Sequence, residues 1–132
     1  MRSSDQELLA KEVASLVQRL RLWTPARWAA AADPWGTRAD LARHLAQWLA
    51  DLAADTDGLP HRQLPVLDTD LLVPDQLAVS GDDLVRTGPA AQPCADAVAH
   101  LLAHRLELLG EPPPPSLGGT DVVRRGREVC GW

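Results

Sequence analysis

The sequence predicts an all-α fold, an antiparallel four-helix bundle with short additional helices, from three observations. Apolar residues recur at helical spacing in four separate segments. No segment alternates between apolar and polar residues for long enough to make a sheet, and residues 65–67 and 71–73 are only weak strand candidates. The 132 residues suffice for one hydrophobic core. Four antiparallel helices joined by loops satisfy all three.

The first helix is predicted to begin at Ser4, which forms a capping box with Glu7, and to end near Leu22. Its apolar stripe consists of Leu9, Val13, Leu16, Val17 and Leu20. A short helix follows, with Thr24 as its N-cap and Pro25 in its first turn. The first part of the chain is thus predicted to form one long helix followed by one short helix.

The next long helix is predicted from Thr37, with Asp40 three residues on, to about Ala54. Its apolar stripe consists of Leu41, Leu45, Trp48, Leu49 and Leu52. Residues 55–70 are polar, contain prolines and keep no period, which indicates a long loop. This helix is therefore expected to be separated from the second half of the bundle by that loop.

Two further long helices complete the predicted bundle. Pro74 suits the first turn of a helix that ends near Arg86. The last clear helix spans residues 93–109, with its apolar residues at Val98, Leu101, Leu102 and Leu109. Gly110 is a natural stop, and the prolines that follow cannot continue a helix.

We therefore predict a helical bundle over residues 1–111 and a Pro-rich linker with a C-terminal tail or short helix over residues 112–132. Cys94 and Cys130 lack metal-ligand or redox spacing and are expected to be free thiols. The chain lacks Phe, Tyr, Ile and Asn, all of which have AT-rich codons, and this indicates a high-GC bacterial genome.

Charge and hydropathy exclude several classes of partner. The formal charge is −5, from 18 acidic and 13 basic residues, which argues against coating nucleic acid. No apolar run reaches the roughly 18 residues of a membrane span, and no signal peptide is visible. We expect a cytoplasmic protein that binds neither nucleic acid nor membrane.

Three histidines are candidate metal ligands. His100 and His104 are four residues apart, which places them side by side on one helix face. His44, on a different helix, could supply a third ligand. Three histidines with an open fourth position are typical of a catalytic zinc or nickel site.

Three segments resemble the DinB-like superfamily of helical bundles, which includes the N-terminal domains of mycothiol-dependent maleylpyruvate isomerases. The stretch WGTRADLARHL at residues 35–45 is similar to the start of the second long helix in that superfamily. The stretch LWTPARW at residues 22–28 resembles the segment before it. HLLAHR at residues 100–105, followed by LGEPP at residues 109–113, resembles the closing part of the metal-binding helix.

The resemblance implies an antiparallel four-helix bundle whose ligands for a divalent metal are His44, His100 and His104. It implies thiol-dependent transfer or isomerisation of a small thiol-conjugated substrate, with mycothiol as the thiol and the metal holding it as thiolate. A homodimer is expected. Where the mycothiol-dependent members usually carry Glu, this chain has His100, and their larger C-terminal domain has no counterpart in this sequence.

The alternative is a non-enzymatic helical adaptor or dimeric interaction protein that keeps the bundle without the metal chemistry. On a helical wheel, His104 lies roughly 120° and His100 roughly 160° from the apolar centre near Val98, Leu102 and Leu109. That placement predicts a solvated polar stripe. The same wheel brings Arg105 close to the apolar centre, so either the helix is rotated from this estimate or Arg105 is paired.

Overall fold

The computed structural model describes residues 3–109, and this part of the chain is all-α. Its helices are α1 (Ser4–Leu20), α2 (Pro25–Ala29), α3 (Arg38–Asp57), α4 (Val73–Arg86) and α5 (Ala91–Leu109), with a 3₁₀ turn at Asp70–Leu72. No strand occurs among these residues. None of the helices described is both long and apolar enough to cross a membrane.

The four long helices share one core. Helix α3 packs against α4 and α5, and α1 packs against the same two helices. Each long helix contributes a fully buried leucine: Leu9, Leu45, Leu77 and Leu108. Leu, Val and Ala fill most of this core, together with the indole rings of Trp23 and Trp28.

The N-cap of α1 lies one residue earlier than predicted. This N-cap is Ser3, whose hydroxyl accepts the backbone N–H of Gln6 at 3.2 Å, while the Gln6 side chain accepts the N–H of Ser3 at 3.1 Å. The Gln6 amide also donates to the carbonyl of Pro89 at 2.9 Å. Because Gln6 makes this tertiary contact as well, the box forms there rather than between Ser4 and Glu7.

Helix α3 begins as predicted and ends later. The Thr37 hydroxyl accepts the N–H of Asp40 at 3.1 Å, and the Asp40 carboxylate accepts the N–H of Thr37 at 2.9 Å. The helix continues past Ala54 to Asp57, where Gly58 closes it with a left-handed backbone at φ 69°. A glycine adopts this conformation without the penalty that a side chain brings.

The loop after α3 is held by glutamine side chains. Gln47 accepts the N–H of Leu64 and donates to the carbonyl of Arg62, both at 2.8 Å. Gln76 of α4 donates to the carbonyl of Pro65 at 2.8 Å. Side chains of α3 and α4 therefore form hydrogen bonds with the backbone of this loop. In a β-sheet, the same backbone groups would bond to a neighbouring strand.

Both weak strand candidates prove wrong. Residues 65–67 belong to the loop, and residues 71–73 fall in the 3₁₀ turn and the first residue of α4. Pro74 lies in the first turn of α4, as predicted. Cys94 is a buried free thiol, as expected, whereas the predicted stop at Gly110, the tail over residues 112–132 and Cys130 lie outside the described residues.

The contact between α4 and α1 is close enough to require glycine. A Cβ at Gly81 would lie 2.6 Å from Cγ1 of Val13. We expect Gly81→Ala to lower the free energy of unfolding by up to about 2 kcal/mol, because overpacking typically costs about 1–3 kcal/mol and the better helix propensity of alanine recovers about 1 kcal/mol. Urea denaturation measures this loss.

The matched control places the same change in a Val13→Ala background, where the obstructing methyl groups are gone. There Gly81→Ala should be neutral or stabilising. An equal loss of stability in both backgrounds would contradict the close contact.

Candidate metal centre

Helix α5 turns a different face to the core than the helical wheel predicts. Its buried residues are Cys94, Ala97, Leu101, His104, Leu108 and Leu109. His104 is 8% exposed, whereas Leu102 is 41% exposed. The helical wheel predicts a solvated His104, and this prediction is wrong. The wheel takes the large aliphatic side chains as the buried face, whereas the buried face of α5 includes the small residues Cys94 and Ala97.

This rotation also accounts for Arg105. The residue lies half-buried between α5 and α1, with Nη1 3.8 Å from the Glu12 carboxylate and 3.5 Å from the Ser15 hydroxyl. The sequence leaves two explanations for Arg105, a rotated helix or a paired guanidinium. Both apply, because α5 is rotated from the helical-wheel estimate and Arg105 has Glu12 as an acidic neighbour.

The three predicted histidines lie together. One ring nitrogen from each of His44, His100 and His104 can be chosen so that all three lie within 4.8 Å of one another. The set therefore could hold a metal ion. His61, to which the sequence assigns no site, lies elsewhere, with Nε2 2.7 Å from the carboxylate of Asp55.

His100 and His104 stand side by side on α5, with ring centroids 4.1 Å apart. Nδ1 of His104 lies 3.1 Å from the carbonyl oxygen of His100, which fits an Nδ1–H donor and leaves the lone pair on Nε2. Nε2 of His104 and Nε2 of His100 are both buried without a hydrogen-bond partner. Buried polar atoms are normally satisfied, and a metal ion would satisfy two lone pairs at this spacing.

His44 completes the cluster from α3. Its ring centroid lies 5.7 Å from that of His104 and 6.3 Å from that of His100. Unlike His104 it is exposed. The cluster therefore has a buried side formed by α5 and a side open to solvent at His44, and imidazole nitrogen suits zinc or nickel.

Two tryptophans that the sequence does not mark as site residues enclose the histidines. The Trp48 ring stacks on His100 with centroids 4.0 Å apart, and Trp35 lies 4.3 Å from His44. The indole N–H of Trp35 donates to the Glu107 carboxylate at 3.2 Å. The spacing of four residues between His44 and Trp48 is the one signal in the sequence that places an indole on this face.

The surroundings favour neutral imidazoles. Burial, followed by the neighbouring charges of His104 and His44, lowers the pKa of His100 to about 4, and Glu107 opposes the shift. Burial of part of the ring, followed by the charge of His104, also lowers the pKa of His44. Both rings are therefore deprotonated at neutral pH, the form in which histidine binds metals.

A cleft of about 230 Å³ adjoins the exposed side of the cluster, between α3 and the loop at residues 63–66. His44 lines it together with Arg43, whose guanidinium bonds to Asp40 at 3.1 Å and to Asp70. A larger cleft of about 660 Å³, between the C-terminal parts of α3 and α4, contains none of the three histidines.

No protein-family model, curated protein or solved structure matches this chain. Fold and site together define an all-α protein with three clustered histidines that could hold a metal ion.

The lowered pKa of His100 predicts acid-sensitive stability in protein freed of metal by a chelator. The unfolded chain takes up the proton near pH 6.5 and the folded chain only near pH 4. The contribution of His100 to the free energy of unfolding should therefore decline as the pH falls through this window and stay constant below it. Denaturant titrations at a series of pH values measure the decline.

Two variants identify the responsible histidine. His100→Gln should make the decline smaller, because it removes one of the two histidines whose pKa is lowered and leaves only His44. His61→Gln should retain it, because the bond to Asp55 raises the pKa of His61 and its contribution has the opposite sign. An unchanged slope in His100→Gln would contradict the assignment.

Proposed function

We propose that the four long helices form an antiparallel, DinB-like bundle that binds one divalent metal ion, zinc or nickel, through His44, His100 and His104 in a cytoplasmic protein. One observation carries the proposal: Nε2 of His100 and Nε2 of His104 are buried without a partner, next to a third imidazole. A purely structural polar cluster would pair these nitrogens with hydrogen-bonding groups.

The donor set supports a site open to a further ligand. The group that can hold an ion comprises three residues among those described, one fewer than a closed structural zinc site requires. His44 is exposed and borders the polar cleft, which gives a small molecule an approach. A metal bound here would supply Lewis-acid chemistry and hold a thiol as its thiolate.

The protein groups around the cluster have separate roles in this proposal. The carbonyl of His100 orients the ring of His104, and stacking by Trp48 orients His100. Trp35, whose indole N–H donates to Glu107, packs against the rings of His44 and His104. The reaction we propose is transfer or isomerisation of a small thiol-conjugated substrate, with mycothiol as the thiol.

A helical adaptor, active as a homodimer, is the second candidate. Several apolar side chains in the loop before α4, in the 3₁₀ turn and within α4 are exposed: Val66, Leu71, Leu72 and Val79, with Val66 80% exposed. Leu72 and Val79 line one cleft, and exposed apolar residues in one patch are typical of an interaction surface. This function would need no metal.

Metal content separates the two candidates. Protein purified without a histidine tag should contain about one equivalent of zinc or nickel by elemental analysis. His44→Ala and His104→Ala should each weaken metal binding at least tenfold, since loss even of a supporting group costs about 10–100-fold. His61→Ala is the matched control and should keep the metal. If neither His44→Ala nor His104→Ala changes the metal content, the proposed metal-dependent function is contradicted.

Thiol binding tests the chemistry separately from the metal. Cobalt-substituted protein should gain a thiolate-to-cobalt charge-transfer absorption on addition of a low-molecular-weight thiol, because the open position accepts a sulfur ligand. The same thiol with its sulfur methylated is the control and should leave the spectrum unchanged. If the metal-loaded protein gives no such band, the proposed thiol chemistry is contradicted, whereas the proposed metal site is not.

A further inference from the structure

A second cluster, independent of the histidines, gathers hydrogen-bond donors around two tryptophans at α2 and the start of α3. The rings of Trp23 and Trp28 lie with centroids 4.7 Å apart. The guanidinium carbon of Arg27 lies 4.6 Å from the centroid of Trp23, and that of Arg38 lies 5.6 Å from it. Two cations therefore share one aromatic ring.

Backbone contacts connect the end of α2 to the start of α3, the two elements that carry these arginines. The N–H of Arg38 donates to the carbonyl of Ala30 at 2.9 Å, and the N–H of Ala32 donates to the carbonyl of Gly36 at 2.8 Å. The positions of both arginines relative to Trp23 are therefore supported by the backbone.

The cluster contains donors without acceptors. Trp28 is 0% exposed, and its indole N–H has no hydrogen-bond partner. The Nε–H of Arg38 is also buried without a partner. Indole and guanidinium groups can only donate, so these groups cannot satisfy one another.

Most other arginines of the described residues have acidic neighbours, even though the chain has an excess of acids. Ion pairs join Arg21, Arg43, Arg86 and Arg105 to carboxylates of the described residues. Among the same residues neither Arg27 nor Arg38 forms such a pair. Two cations at one aromatic ring thus have no counter-ion among these residues, and a buried donor without an acceptor carries a desolvation penalty.

We propose that Arg27 and Arg38, at the ring of Trp23, form a binding site for a small oxyanion, a phosphate or carboxylate group. Such a ligand is acceptor-only, neutralises both guanidiniums and fits the planar fork of arginine. Trp23, which is 7% exposed, forms the floor of the site, and the exposed Arg27 forms its open side. The site requires no metal and does not rest on the function proposed for the histidines.

Calorimetric titration with inorganic phosphate, with sodium chloride at equal ionic strength as the reference, tests the site. Arg27→Gln and Arg38→Gln should each weaken binding by about tenfold, the loss expected for one charge-assisted hydrogen bond. Arg38→Lys retains the positive charge but lacks the planar guanidinium, and it should also weaken phosphate binding. Arg62→Gln, at an exposed loop arginine without a described ion pair, is the matched control and should bind as the unaltered chain does.

Glycerol phosphate and acetate, used as further ligands, separate a free ion from a phosphate or carboxylate on an organic molecule. Binding of any of the three that is weakened in Arg27→Gln and retained in Arg62→Gln supports the site. If Arg38→Gln fails to fold, Arg27→Gln still decides, because Arg27 is exposed. No binding beyond that of chloride, or equal binding by Arg27→Gln and Arg62→Gln, would overturn the proposal.

Discussion

The rotation of α5 about its own axis is the constraint on which the candidate site depends. The small side chains of Cys94 and Ala97 lie on its buried face, and this orientation carries His104 inward. If Leu102 faced the core instead, His104 would turn towards solvent and away from His44. One packing preference, set by residues outside the cluster, therefore decides whether the three imidazoles can meet.

The same packing sets the chemistry of the cluster. Burial of His100 beneath Trp48 disfavours its charged form and lowers its pKa, so the ring stays a neutral donor of a lone pair. Trp35 packs against His44 and His104 and itself donates to Glu107. Aromatic rings thus exclude water from the nitrogens that a metal would use, while the exposed edge of His44 leaves an approach.

Much of this fold follows from local sequence signals. The box of Thr37 and Asp40 starts α3, Pro74 starts α4, and the three histidines are found by their residue type and spacing. Signals of this kind depend on neighbours in the chain. The first capping box is one exception: Ser3 with Gln6 and Ser4 with Glu7 both fit the local pattern, and Gln6 also contacts Pro89 across the fold.

The sequence by itself determined the helical class, the main helix positions and the identity of the clustered histidines, because hydrophobic period, caps and breakers act over a few residues. Only the tertiary structure decided which face of α5 is buried, that Trp35 and Trp48 enclose the imidazoles, and that Arg27 and Arg38 share the ring of Trp23. These features depend on side-chain volume and on contacts between distant segments, and neither is encoded in the period of a single helix.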